Sequence, residues 1–152
     1  MRRSLATFTL LSLLCWGCGG IEQATCAPEG VEVPPDIARE FPQHARFVSL
    51  LDEIVTLGQH EDGAIAGAVT IEQRLASLDR SEIVLGTVLR KLEDGMSPER
   101  RARWEATMGP FVARAHQRLD TMLAEMAAEE PVAAQIVAEA VHRWLAGTDA
   151  GY

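Results

Sequence analysis

Ser97-Pro98-Glu99-Arg100 opens the stretch whose reading decides the fold, SPERRARWEATMGPFVARAHQRLDTMLAEM, which closes at Met126. Ser97 offers a hydroxyl oxygen to the first free amides of a helix, Pro98 has no amide to leave unpaired at the first helical position, and Glu99 faces the positive end of the helix dipole. Beyond this cap Trp104, Met108, Phe111, Ala115, Leu119, Met122 and Met126 recur every three or four residues, which places them on one side of an α-helix. Arg100, Arg101, Glu105, Arg114, Arg118 and Glu125 fall largely elsewhere. Gly109-Pro110 interrupts the seam, because a proline lacks the amide donor and crowds the carbonyl four residues back. The spacing predicts a long helix near 98–128, kinked at Gly109-Pro110, or two helices sharing one line.

The same period extends in both directions. Phe47, Leu50, Leu51, Ile54 and Leu57 predict a helix over 43–57, with Gly58 as a left-handed stop. Ile65, Ala68, Val69, Leu75 and Leu78 form a second stripe, weakened by Gly67 and broken near Asp79. There Asp79-Arg80-Ser81-Glu82 has the pattern of a capping box. A third helix carries Ile83, Val84, Val88, Leu89 and Leu92 and ends at Gly95. On the other side Glu130-Pro131 opens a last helix with Val132, Ile136, Ala140, Val141, Trp144 and Leu145 on one face and Gly147 after it. No run shows the strict alternation of a half-buried strand, so the expected fold is all-α, a small helical bundle of about five amphipathic helices over 43–147. Residues 148–152 are expected to fray.

Composition agrees with one folded domain. The chain has 152 residues, 47% hydrophobic and 24% charged, close to the globular average and far from the polar profile of disordered chains. Fourteen Lys plus Arg stand against 22 Asp plus Glu, a net charge of -8. Affinity for a phosphate backbone needs clustered basic residues, so nucleic acid is excluded as an expected partner.

The N-terminus carries an address. Arg2 and Arg3 precede the uncharged, leucine-rich stretch Ser4 to Trp16, a positive region and a short apolar region. About a dozen strongly apolar residues fall short of the roughly 20 that cross a bilayer as a helix. Residues 1–17 are therefore expected to be a cleaved signal peptide. The following Cys15-Trp16-Gly17-Cys18-Gly19-Gly20 resembles a bacterial lipoprotein signal over its most demanding positions, Gly17 before Cys18. Cys15 and Trp16 depart from the usual Leu and small residue. The resemblance implies that Cys18 is lipidated and becomes the first residue of the mature chain. Gly19 after it is similar to the signal of outer-membrane sorting in Gram-negative bacteria. Loss of Arg2 and Arg3 leaves 12 basic against 22 acidic residues, net -10. Pro28, Gly30, Pro34, Pro35 and Pro42 then read as an extended tether over 18–42. Cys26 lies in it, and three cysteines are too few for a disulfide framework.

Candidate chemistry is sparse. The histidines His44, His60, His116 and His142 form no pair at the spacing that puts two ligands on one helical face. Glu139 and His142 make one Glu-x-x-His motif, whereas a di-iron bundle needs two and further glutamates. His60-Glu61-Asp62 reads as a solvated turn. Met96, Met108, Met122 and Met126 suit core packing better than soft-metal binding, and Trp104 and Trp144 read as core anchors. No cofactor, metal site or catalytic residue is expected.

Met96-Ser97-Pro98-Glu99-Arg100 and the Arg-rich helix after it are similar to the Leu-Thr-x-x-Gln helix start of the small helical periplasmic chaperones and metal-stress sensors typified by Spy and CpxP. Met96 stands for Leu, Ser97 for Thr and Arg100 for Gln, and Leu78-Asp79-Arg80-Ser81-Glu82 is the one candidate for a second copy. That resemblance implies a periplasmic sensor or chaperone. The residues themselves lead first to a membrane-tethered, non-catalytic interaction domain in the bacterial envelope, whose mark on the folded body is an exposed apolar face.

Overall fold

The computed structural model describes residues 30–59 and 63–146, and there every regular element is an α-helix. The expected signal over 1–17, Cys18, Cys26, the His60-Glu61-Asp62 cluster and residues 147–152 lie outside the described residues. Eight helices follow in order: α1 Pro35–Glu40, α2 Pro42–Gly58, α3 Ala64–Ala76, α4 Arg80–Ile83, α5 Leu85–Asp94, α6 Pro98–Thr107, α7 Gly109–Glu129 and α8 Pro131–Ala146.

Four of them, α2, α3, α7 and α8, make the bundle. The α2–α3 hairpin packs on the α7–α8 hairpin, α2 against α7 and α3 against α8. Val48, Leu51, Val55, Ile71, Met122 and Val137 fill the space between, all essentially without exposure. Phe47 lies by His116 and Gly58 by Met122, so α2 and α7 run in the same direction. The short α4, α5 and α6 close the end of the bundle that holds the start of α2 and the end of α8.

Eight helices replace the expected five for three physical reasons. The tether predicted over 18–42 is helical from Pro35 onward. Pro34 and Pro35 break any regular pattern in the sequence, yet a proline at the first turn of a helix loses no bond, and Pro42 ends α1 and begins α2 in the same way. Val31 and Phe41, within the expected tether, are buried in the core. The third helix breaks at Val84, because the Trp144 Nε1–H donates across 2.9 Å to the Glu82 carbonyl, which a continuous helix would aim at the Gly86 amide. Of the two outcomes expected at Gly109-Pro110, a kink or two helices, the structure has two helices, divided at Met108. Pro110 offers no donor, and the Phe111 amide turns back to Met108 O at 3.0 Å in a tighter turn. Met108 itself is fully buried.

Local capping follows the sequence closely. Ser97 Oγ accepts the Arg100 amide at 3.3 Å, and both halves of the Asp79–Glu82 capping box are present. Gly58 differs from expectation, since the left-handed conformation is absent from it. Its role is a close approach to α7: a Cβ at Gly58 would lie 2.5 Å from Met122 Sδ, while a Cβ at Gly67 would lie 2.9 Å from the Gly58 carbonyl oxygen, so the first glycine admits α7 and the second admits α3 to the end of α2.

Candidate functional site

Two features of the surface stand apart from ordinary packing: a polar cluster at the closed end of the bundle and an apolar face on α3 and α8.

At the closed end, two side chains with titratable groups are buried. His44, only 3% exposed, is in the first turn of α2, and its Nε2 lies 3.2 Å from Glu93 Oε1 of α5. The Phe41 ring meets the His44 ring edge-on, and the Trp104 ring lies tilted against it with centroids 5.3 Å apart. The carboxylate only accepts, so Nε2–H donates to it. Burial pushes the His44 imidazole below its ordinary pKa of 6.5, and nearby Arg100 adds to this, against the opposing pull of Glu93. His116 of α7 lines the same pocket as His44, its Nδ1–H donating to the Val112 carbonyl at 2.9 Å.

Glu82 is the second buried group. Its carboxylate accepts from Arg46, from Arg74 at 3.5 Å and from the Asp79 amide at 3.2 Å. Burial pushes the Glu82 carboxyl up, but these three donors together hold it below its ordinary value. Asp79 is held low in the same way, chiefly by the Ser81 hydroxyl. Arg74 also grips Glu53 at 2.7 Å, which ties α2, α3 and α4 into one charged network.

These shifts give a signed pH dependence. The unfolded chain takes up the His44 proton near pH 6.5, whereas the folded chain resists it until lower pH. The unfolded state therefore binds more protons in that window, and stability falls as the pH drops below about 6.5, by up to about 1.4 kcal/mol per pH unit. Glu82 and Asp79 act only at lower pH, where their protonation in the unfolded chain begins. Urea unfolding at pH 7.5 and 5.5 is expected to show the loss in the native protein and not in His44→Gln; equal loss in both would assign the slope to other groups.

His44 lines two adjacent pockets. One, of about 300 Å³, is bounded by Phe41, Pro42, Lys91, Leu92, Met96 and Arg100; the other, of about 210 Å³, by Phe47, Glu93, Val112, His116 and Leu145 among others. Neither pocket is lined by a hydroxyl or a thiol. Sequence reasoning missed this pair because its members are 49 residues apart and share no local spacing. Trp104 and Trp144, expected as core anchors, both pack inward, Trp144 stacked on Phe47 at 5.8 Å. Glu139 and His142 are exposed. Among the described residues, no three His, Cys, Asp or Glu side chains gather to hold a metal ion.

The second feature is apolar. Ile65 and Val69 on α3 are 65% and 47% exposed, and Val132 and Ile136 on α8 are 63% and 41% exposed. On α3 the flank of Gly67 and Arg74 meets α2, which leaves Ile65 and Val69 on the flank toward α8. On α8 Leu145 lines the pocket beside α5 and α7, and Ile136, two and a half turns earlier, faces the opposite way, toward α3. All four side chains therefore border the seam between two packed helices. Exposed Glu72, Glu129 and Glu139 rim it, with Arg143 toward its far end.

Among the described residues no helix is long and apolar enough to cross a membrane. No protein-family model matches the chain, and neither a curated protein nor a solved structure is similar to it.

Proposed function

We propose that the protein is a bacterial envelope lipoprotein, anchored through Cys18 to the outer membrane and facing the periplasm, whose helical body binds a partner protein without catalysis. The observation that carries the binding half is the apolar seam of Ile65, Val69, Val132 and Ile136. A single exposed aliphatic residue has no special meaning on a protein surface, but four bordering one groove between parallel helices form a surface that water covers at a cost. Spacing of i and i+4 on each helix suits a third helix laid along the groove. The acidic rim selects its chemistry: an amphipathic helix whose apolar face is flanked by Lys or Arg. The anchor half rests on the signal-like N-terminus and its Gly17-Cys18 pair.

Photo-crosslinking in living cells tests the binding half. A benzoylphenylalanine placed at Ile65 and, separately, at Ile136 is expected to give an adduct of one and the same mass, absent when the probe replaces Arg114 on the exposed side of α7. Adducts of twice the chain's own mass would replace the foreign partner with a second copy. No adduct from either helix would overturn the binding reading.

A further inference from the structure

The 300 Å³ pocket beside His44 has a composition that neither core packing nor the apolar seam accounts for. Its walls are apolar, Phe41, Leu92 and Met96, and two cations stand at them, Lys91 and Arg100. Lys91 is the only lysine in the sequence. Arg100 belongs to the first turn of α6, where a positive charge opposes the helix dipole and gains nothing locally. Its guanidinium is instead held over the Phe41 ring, 5.9 Å from the centroid.

The one acidic side chain on the wall, Glu40, is neutralised from outside, since Arg103 holds both its oxygens at 2.5 and 2.8 Å. His44 is kept uncharged by burial and gives its Nε2–H to Glu93. The start of α2 also opens on this pocket, with no side chain capping it, and so adds the partial positive charge of its free amides. The local balance is positive in a chain that is acidic overall. A volume of this size is at the small end of ligand pockets, which run from about 300 to 1,000 Å³.

We infer that this pocket binds a small amphipathic anion, a carboxylate or phosphate head on an aromatic or short aliphatic body. The head lies between Lys91 and Arg100, and the body lies against Phe41, Leu92 and Met96. This site is separate from the seam on α3 and α8 and does not depend on what binds there.

The single lysine makes the test clean. Reductive methylation with ¹³C-formaldehyde keeps the charge and gives the folded full chain one dimethyl-lysine resonance, distinct from that of any free terminal amine. Titration with 2-naphthoate and 2-naphthyl phosphate is expected to move that resonance saturably, while 2-naphthamide, equal in shape but uncharged, moves it far less. The stronger of the two anions identifies the head group. Binding of the stronger anion, followed by calorimetry, is expected to weaken at least about fivefold in Lys91→Gln and in Arg100→Gln and to fall with added salt. Both residues are exposed, so these variants keep the fold. Arg114→Gln, which removes the same charge from α7, is expected to bind as the native chain does. Three results would each overturn the inference: the amide binding as well as the anions, equal weakening in Arg114→Gln, or no binding of any of the three probes.

Discussion

Trp144→Ala is expected to cost about 4 kcal/mol of stability, the upper range for a buried aromatic truncation, and to lower the melting temperature by roughly 15 °C for a folded body of this size. The reason is the number of elements that meet at this one side chain. Its ring stacks on Phe47 of α2, and its indole N–H donates to the Glu82 carbonyl where α4 gives way to α5. Removing it opens a cavity between α2 and α8 and leaves a carbonyl without its partner at the α4–α5 break. Trp144→Phe separates the two effects. It keeps most of the stacking and loses the hydrogen bond, so a loss of about 1–2 kcal/mol is expected. Chemical denaturation of the two variants reads both numbers. A loss below about 1 kcal/mol in Trp144→Ala would mean that α8 is held by other contacts.

The docking of α8 also relies on Gly86, directly after that break. A Cβ there would lie 2.5 Å from the Leu145 carbonyl oxygen, a backbone atom that cannot step aside alone. Trp144 and Gly86 therefore act together, one side chain tying α8 to α4 and one missing side chain admitting it to α5.

Much of this architecture is legible in the chain because it is local. The stripes of α2, α3, α7 and α8 bury one face each, and a buried face imposes its period on the sequence directly. Ser97, Asp79 and Glu82 cap helices within a few residues of their partners, so their roles are read from short patterns. The break at Val84 is not legible, because its cause is an indole that lies 62 residues beyond Glu82. The His44–Glu93 pair and the grip of Arg46 and Arg74 on Glu82 are hidden for the same reason: polar partners brought together by the fold leave no period. In α1 the two readings of proline compete, since one residue type both stops a helix and starts one. The seam is not legible, because Ile65, Val69, Val132 and Ile136 read as members of the same stripes as residues that are buried. Which side of each stripe faces solvent follows from α2, α5 and α7 occupying the others.

The proposed anchoring has the largest consequence for where the protein works. Acylation at Cys18 would give the mature chain several alkyl chains, more than the two membrane signals that stable attachment requires, while a net charge of -10 on the remaining polypeptide repels it from an anionic bilayer surface. Attachment therefore depends on the lipid alone and is expected to be all or none. The most direct measurement is intact mass with membrane fractionation of the native protein and Cys18→Ala in a Gram-negative host. The account predicts a native chain of residues 18–152 plus acyl groups in the membrane fraction, and a Cys18→Ala chain without lipid that leaves it. Native and substituted chains of unacylated mass, fractionating alike, would contradict it.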